Sequence, residues 1–145
     1  MTPFRKNASC ASLLLRNPTS VVLGYLYEKI VAMRNLTTKK CIPCEGGPSA
    51  VGAHLMAGEI EELHKQVPEW EIEDWHELKR RFKFKDFAEA LLFVNKVGTL
   101  AEGEGHHPNI TFGWGYAEIT TYTHAVDGLS ENDFILAAKI DALAS

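Results

Sequence analysis

The segment LKRRFKFKDFAEALL, residues 78–92, changes its hydrophobic period halfway along. As far as Lys85, every second residue is Lys or Arg and the positions between them are mostly apolar, which predicts a strand with one buried and one basic face. Asp86 is then a good helix N-cap, and Glu89 three residues later completes a capping-box pattern. The segment therefore predicts a half-buried strand that leads directly into a helix.

Apolar residues that recur at helical spacing predict three helices in the chain. In order, these are Leu55–Val67, ended by Pro68; a helix capped by Asp86 and stopped by Gly103 and Gly105; and a helix that starts at Ser130 with Asp133 in its first turn. Their predicted core faces are Met56, Ile60, Leu63 and Val67 in the first; Phe87, Leu91, Val94 and Leu100/Ala101 in the second; and Phe134, Ala137, Ala138 and Ile140 in the third.

Alternating residues between these helices predict four strands in two pairs. They lie around Trp70–Ile72, over residues 78–84, over Asn109–Phe112 and over Ala117–Thr123. The predicted order of elements is α-β-β-α-β-β-α. We therefore expect an α+β fold, with a four-stranded antiparallel sheet and helices packed on one of its faces.

Composition places the chain among ordinary globular proteins. It has 145 residues, of which 46% are hydrophobic and 23% charged, typical of one folded domain. Its longest apolar runs are far too short to span a bilayer. The formal net charge of −4 disfavours nucleic acid as a partner.

Charge is unevenly distributed along the chain. Residues 1–32 carry four basic side chains against Glu28 alone, a net of +3, so the remainder carries −7. A Ser-, Ala- and Leu-rich stretch with few acids is typical of an organellar transit peptide, and a start site at Met33 is the alternative. We therefore expect an N-terminal extension, 1–32, and a single domain, 33–145. The location is predicted to be cytoplasmic, or mitochondrial or plastid if the extension is a transit peptide.

The three cysteines, Cys10, Cys41 and Cys44, do not form the even set of a disulfide framework and indicate a reducing compartment. Cys41-x-x-Cys44 has the spacing of zinc ligands, and His54 or His64 would have to complete a tetrahedral set. Since no second closely spaced Cys/His pair is present, we expect a loop without metal, and zinc remains the alternative.

Histidines are concentrated near the ends of two predicted strands. His106-His107-Pro108 follows the glycines that end the central helix, with Glu102 one turn earlier, and His124 ends the last strand. We expect His124 to project onto the open face of the sheet. Histidine exchanges protons near neutral pH, and a nearby carboxylate fixes its tautomer. The pattern favours an acid–base site, whereas His54, His64 and His76 are interpreted as surface or structural residues.

Residues 33–145 resemble the pterin-4a-carbinolamine dehydratases, also called dimerisation cofactors of a homeodomain transcription factor. The resemblance rests on Leu36-Thr-x-x-x-Cys41-x-Pro-Cys44-x-Gly-Gly, Trp70, Arg81-Phe-x-Phe-x-Asp86-Phe, Glu102-x-x-x-His106-His107-Pro108, Thr123-His124 and Gly128-Leu-Ser130-x-x-Asp133. It implies the same α-β-β-α-β-β-α fold. It also implies that the chain removes water from 4a-hydroxytetrahydrobiopterin, giving quinonoid dihydrobiopterin in tetrahydrobiopterin recycling, with no metal or other cofactor. Family members commonly form homodimers or homotetramers.

The resemblance also assigns roles to individual residues. His106, His107 and His124 match the three catalytic histidines, with His107 as the leading acid–base residue. Substrate-binding or orienting roles fall to Glu102, Pro108, Asp133 and Trp70. Asp133 is expected to orient His124, with a helix-capping role as the alternative. Trp70 is expected near the pterin, with hairpin packing as the alternative.

Two positions depart from the family pattern. Gly105 stands where many members have Asn or Asp, and Ile110 replaces a common aromatic residue, for which Trp114 is a candidate substitute. The resemblance also leaves a second kind of function open. Family members can act as coactivators by holding a partner protein, so a non-catalytic protein-binding module is the alternative to the enzyme.

Overall fold

The computed structural model describes residues 35–42 and 54–145 of the chain. In this part, helices and strands follow one another as α-β-β-α-β-β-α, which confirms the predicted fold class. The elements are α1 (Ala57–His64), β1 (Glu71–Glu73), β2 (Glu77–Lys83), α2 (Phe87–Glu104), β3 (Asn109–Gly113), β4 (Tyr116–Thr121) and α3 (Glu131–Ala144). Two short 3₁₀ turns, Leu36–Thr38 and His124–Val126, complete the described structure. The expected extension 1–32 and Cys44 lie outside the described residues.

The sheet is antiparallel throughout and has the strand order β1-β2-β4-β3. Paired residues project to the same face, so its register shows which side chains meet the helices. On one face, Leu78 pairs with Thr121 and Phe82 with Ala117, and all four are buried. This face forms the core with α2 and α3, which agrees with helices packed on one side.

The other face of the sheet carries charged side chains that are partly or fully exposed. Lys79 Nζ lies 3.1 Å from Glu73 Oε1 and 3.8 Å from Glu118 Oε1, bridging the strands on either side of β2. The hydrogen bond with Glu73 raises the pKa of Lys79. Arg81 lies 3.9 Å from the centroid of the Tyr116 ring. The predicted basic face therefore alternates with acids on neighbouring strands, as expected of a solvated surface.

Both long helices begin where the sequence predicts. The Asp86 side chain accepts a hydrogen bond from Glu89 N at the start of α2, and Glu89 Oε2 accepts one from Lys85 N. At the start of α3, Ser130 Oγ accepts a hydrogen bond from Asn132 N, while Asp133 Oδ2 accepts one from Ser130 N. These side chains satisfy N–H groups that the first helical turn leaves unpaired.

The predicted buried stripe of α2 is correct for Ala101, which is buried, and for Val94 and Leu100, which are partly buried against the core, but wrong for Phe87 and Leu91. The buried residues are Ala90, Phe93, Val97 and Ala101, whereas Phe87 and Leu91 are 44% and 39% exposed. Apolar residues cover a wide arc of α2, so two stripes satisfy helical spacing equally well. Packing selects the stripe on which small Ala90 admits close approach and Phe93 reaches Phe82, with ring centroids 4.8 Å apart.

Helix α1 is shorter than predicted. It ends at His64, and Val67 is fully buried in the turns that follow. Those turns are closed by hydrogen bonds from Gln66 N to Leu63 O and from Val67 N to His64 O. Ile60 is buried as predicted, but Met56 precedes the helix and is 67% exposed. Val67 is therefore a core residue as predicted, but it reaches the core from a turn and not from the helix.

Residues 35–42 lie against α2 and α3. Leu36 and Cys41 are buried. Asn132 Oδ1 accepts a hydrogen bond from Ile42 N, and Asn132 Nδ2 donates one to Ile42 O. Glu104 Oε2 accepts one from Cys41 N and Glu104 Oε1 one from Lys139 Nζ. Burial opposes the charge of Glu104, but these hydrogen bonds outweigh it and hold its pKa below the ordinary value.

The thiol of Cys41 is expected to be unreactive in the folded protein. Burial, followed by the nearby Glu104 carboxylate, raises its pKa from 9.0 to about 12. Since the thiolate is the nucleophile, this leaves about a thousandfold less reactive species at pH 8. In a C10S/C44S variant, labelling of the single thiol by a disulfide reagent should be slower by at least that factor than labelling of free cysteine.

Denaturant added to the same variant serves as the control and should restore rapid, stoichiometric labelling. Labelling of the native protein at the rate of free cysteine would contradict the prediction. The raised pKa also has a linked effect on stability. The unfolded chain loses the thiol proton more easily, so this contribution to the free energy of unfolding is complete below pH 9 and is lost towards pH 12.

Candidate active site

The predicted site residues lie at one end of the sheet. Asn109, the first residue of β3, pairs with Thr120 near the end of β4. The histidines before β3 and the residues after β4 are therefore brought to the same end of the sheet. Leu78, near the start of β2, pairs with Thr121, so the turn between β1 and β2 lies at this end of the sheet as well.

A buried carboxylate forms the centre of this end. Asp133 is fully buried, and its Oδ1 lies 2.8 Å from both His106 Nε2 and Thr121 Oγ1. Its Oδ2 lies 2.7 Å from Thr123 Oγ1, 2.9 Å from Ser130 N and 3.3 Å from Ser130 Oγ. A carboxylate only accepts hydrogen bonds, so the proton of His106 on this side belongs to Nε2. This network fixes both the tautomer and the orientation of a 97% buried imidazole.

His107 is the exposed neighbour of this buried imidazole. Its Nε2 lies 3.0 Å from Glu102 Oε1, and the two side chains are 61% and 79% exposed. Helix α2 ends after Glu104, and Gly105 at φ +65° turns the chain into the histidine pair. One end of α2 therefore supplies both an exposed histidine and a carboxylate within hydrogen-bond distance of it, and the orienting role expected of Glu102 stays a prediction.

His124 lies beyond β4 rather than on it, which corrects the prediction that it ends the strand. Strand β4 ends at Thr121, and His124 begins a 3₁₀ turn that closes at Asp127. Asp127 adopts φ +49°, and Thr123 forms an isolated bridge with Gly128. The exposed His124 ring stacks on Tyr122, with centroids 4.2 Å apart.

Asp133 binds His106, which corrects the prediction that it orients His124. The reason lies in the two faces of β4. Thr121 points to the buried face, where α3 places Asp133 and α2 delivers His106. The chain has turned away from this face by the time it reaches His124. Asp133 also caps α3, so the capping role and the orienting role coexist in one side chain.

Trp70 lies in the core, and its expected role beside the pterin stays a prediction. It is 1% exposed, and its Nε1 donates a 2.9 Å hydrogen bond to Asp141 Oδ1 on α3. Arg80 Nη1 approaches the same oxygen at 2.7 Å. Burial raises the pKa of Asp141 although both partners oppose this effect. These contacts support the alternative interpretation, in which Trp70 packs the hairpin.

The departures from the family pattern have local structural reasons. The left-handed backbone at Gly105 is one that glycine adopts without a steric penalty. Ile110 pairs with Ile119 on the helix-covered face and packs against the core. Trp114 lies in the β3–β4 turn, at the opposite end of β3 from His107. Its predicted part as a substitute near the site is therefore wrong. Pro108 lies directly before β3.

The zinc alternative involves residues that only partly belong to the described structure. Within residues 35–42 and 54–145, no three His, Cys, Asp or Glu side chains are grouped to hold a metal ion. Cys44 lies outside these ranges, so a site containing both cysteines stays a prediction. In the same described part of the chain, no helix is both long and apolar enough to cross a membrane.

Several contributors to this end of the sheet were not predicted. Thr121 and Thr123 bond Asp133, and their spacing of two residues on a predicted strand was an available signal. His76, interpreted as a surface residue, stacks on Tyr122 with centroids 5.0 Å apart. The sequence carries no local signal for this contact because it joins two turns 46 residues apart.

Comparison with known proteins supplies independent evidence. Residues 53–143 match the family model "Pterin 4 alpha carbinolamine dehydratase". Proteins of Rubrobacter xylanophilus and Methylococcus capsulatus are 53% and 52% identical over 111 and 112 residues, 77% of this chain in each case. These matches cover 100% and 95% of the two relatives, and both are named "Putative pterin-4-alpha-carbinolamine dehydratase".

A solved structure is also similar. The crystal structure of a transcriptional coactivator/pterin dehydratase from Brucella melitensis aligns with a TM-score of 0.60 at 31% sequence identity. The alignment covers 63% of this chain and 99% of the Brucella chain. Fold and sequence therefore point to the same group of proteins.

Proposed function

This chain belongs to the pterin 4 alpha carbinolamine dehydratase family, and from that premise we propose that it dehydrates 4a-hydroxytetrahydrobiopterin. The product is quinonoid dihydrobiopterin, in the recycling of tetrahydrobiopterin. One observation carries the proposal. Two adjacent histidines each have their own carboxylate, His106 with buried Asp133 at 2.8 Å and His107 with exposed Glu102 at 3.0 Å.

The reaction needs proton transfers at two atoms of the pterin. The C4a–O bond breaks, and its electron pair leaves with the hydroxyl oxygen, which takes a proton from a general acid and departs as water. The N5 lone pair forms the new C4a=N5 double bond, and the N5 proton passes to a base. Atoms and charge balance without oxidation or reduction. We therefore infer that the chain requires no redox cofactor, and we propose that histidine side chains supply the acid and the base without a metal.

His107 is our choice for the leading acid–base residue. Its ring is 61% exposed at the end of α2, so a solute can reach it. Glu102 on Nε2 favours a proton on that nitrogen and leaves Nδ1 to exchange protons with the substrate. A positioned acid or base of this kind contributes about 10²–10⁴-fold to a rate.

His106 and His124 take supporting roles in the proposal. The His106 ring is buried and hydrogen-bonded to Asp133, so its orientation is fixed. In the proposal it forms a rigid side of the pterin-binding site. His124 exposes its ring at the same end of the sheet, on the turn that follows Thr123. Both are assigned to pterin binding and to sharing proton transfer with His107.

Binding to a protein partner is the second candidate function. The similar Brucella structure is described as a transcriptional coactivator/pterin dehydratase, which supports this alternative. The outer face of α2 also exposes apolar side chains, namely Phe87, Leu91 and Leu92. Contacts between copies of the chain would cover such a face in the expected homodimer or homotetramer.

The proposal is tested by adding the full chain to freshly generated 4a-hydroxytetrahydrobiopterin and following dehydration by ultraviolet absorbance. We expect an acceleration that is proportional to protein concentration. Lys83→Ala is a suitable control, because this exposed residue pairs with Tyr116 at the other end of the sheet, and it should match the parent. A parental rate equal to the uncatalysed rate would overturn the proposal and leave protein binding as the favoured function.

A further inference from the structure

Three aromatic rings form a stack beside the proposed active site. The Tyr122 ring contacts both His124 and His76, with centroid distances of 4.2 Å and 5.0 Å and interplanar angles of 34° and 38°. His124 is one of the three histidines assigned to the reaction. His76 belongs to the turn between β1 and β2, and the proposed chemistry gives it no role.

A hydrogen bond joins the same two turns a second time. His76 Nε2 lies 3.2 Å from Asp127 Oδ1, and Asp127 N–H donates to His124 O at 3.3 Å. Four residues are therefore connected in a ring of contacts, in the order His124, Tyr122, His76, Asp127 and back to His124. The turn that bears His124 is held at its first residue by stacking and at its last by His76.

The backbone that presents His76 is unusual. Asp74 and Trp75 are consecutive non-glycine residues with φ of +50° and +58°, and His76 N–H donates to Glu73 O at 2.9 Å to close the turn. A bulky residue with positive φ is an outlier, and such strain persists where the surroundings impose it, often at functional sites. Here the strained turn has an identifiable result, which is to bring an imidazole against Tyr122.

Position matters for His124 because its ring is exposed. An exposed histidine on a short turn samples several rotamers, and catalysis or binding then depends on the fraction in the productive one. The contact with Tyr122 restricts the orientation of the His124 ring, which remains exposed. A planar pterin would meet a ring whose orientation is already set.

We propose that His76 is a positioning residue for the dehydration, acting through the ring of Tyr122 to hold the imidazole of His124. The inference rests on the proposed function, since it assumes that His124 works on the pterin. It assigns to the β1–β2 turn, which lies outside the His-His-Pro motif, a role in the site.

The experiment is a double-mutant cycle on kcat/KM for dehydration, with His76→Ala measured in the parent and in His124→Ala. We expect about a five- to tenfold decrease in the parent and no further decrease in His124→Ala, because a residue that acts only through His124 has nothing left to position. A merely structural role would lower kcat/KM equally in both backgrounds. Tyr122→Ala in the same cycle should reproduce the pattern, and Tyr122→Phe, which keeps the ring, should stay within about twofold of the parent.

The outcomes separate this inference from the proposed function. A parent that fails to accelerate dehydration overturns both. An active parent with His76→Ala and Tyr122→Ala at the parental rate, or with equal losses in the two backgrounds, overturns the positioning role alone. Thermal unfolding shows whether each variant folds. If either His76→Ala or Tyr122→Ala does not fold, the double-mutant cycle with the other substitution provides the test.

Discussion

His107→Ala is expected to lower kcat for pterin dehydration by about 10²–10⁴-fold, the usual contribution of a positioned acid or base. The side chain is exposed and its one described polar partner is Glu102, so the variant should keep the parental unfolding midpoint. The loss should then appear in kcat with a smaller change in KM, because proton transfer occurs in the transition state. The measurement is the initial dehydration rate over a range of pterin concentrations.

Glu102→Gln tests how that histidine is oriented. The amide keeps the size of the side chain but removes the charge that favours a proton on Nε2, so we expect a smaller decrease in kcat than for His107→Ala. Glu61→Gln is the matched control, because Glu61 is an exposed acid on α1, and it should leave kcat unchanged.

Parental kcat in His107→Ala would exclude His107 as the leading residue and would direct attention to His106 or His124.

Asp133→Ala is expected to reduce the free energy of unfolding by about 3–5 kcal/mol, the range for removing one partner from a buried charged pair. Two threonine hydroxyls, the His106 imidazole and the N-terminus of α3 all direct hydrogen bonds to this carboxylate. In the variant these donors would remain buried without an acceptor. Leaving a buried donor unpaired costs more free energy than a hydrogen bond normally contributes to stability. Urea unfolding followed by circular dichroism measures the change as a shift of the midpoint.

Glu131→Ala is the control for Asp133→Ala. Glu131 lies in the same first turn of α3, is exposed, and pairs with Lys39 at the surface, so its loss should cost about 1 kcal/mol or less. Asp133→Asn should fall between the two, because it keeps one acceptor oxygen. A change below about 1 kcal/mol for Asp133→Ala would show that the network contributes little to stability.

The sequence predicted best the features that depend on a few neighbouring residues. Asp86 with Glu89 and Ser130 with Asp133 marked two helix starts, and the alternation over residues 78–84 marked β2 and its buried face. Each of these signals is local, because capping and strand alternation are decided within about four residues.

Features that depend on packing between distant segments were predicted less well. The spacing rule could not choose between two stripes of α2, since the choice depends on how Phe93 meets Phe82. The partner of Asp133 depends on where the chain leaves β4, and the sequence does not show that β4 ends at Thr121. The His-His-Pro motif predicted the position of the site, but His76 joins it only through the tertiary structure.

Residues 35–42 show that the family model and the folded domain have different limits. The family model begins at residue 53, yet Leu36 and Cys41 are 1% and 3% exposed against the helices. A fragment cut where the match begins would leave Asn132 without its backbone partners at Ile42 and would uncover apolar surface on α3. For anyone designing a minimal version of this protein, the safe boundary therefore lies before Asn35. The matches to the two bacterial relatives are longer than the family model, at 111 and 112 residues, and the burial of Leu36 and Cys41 gives a structural reason to keep this segment.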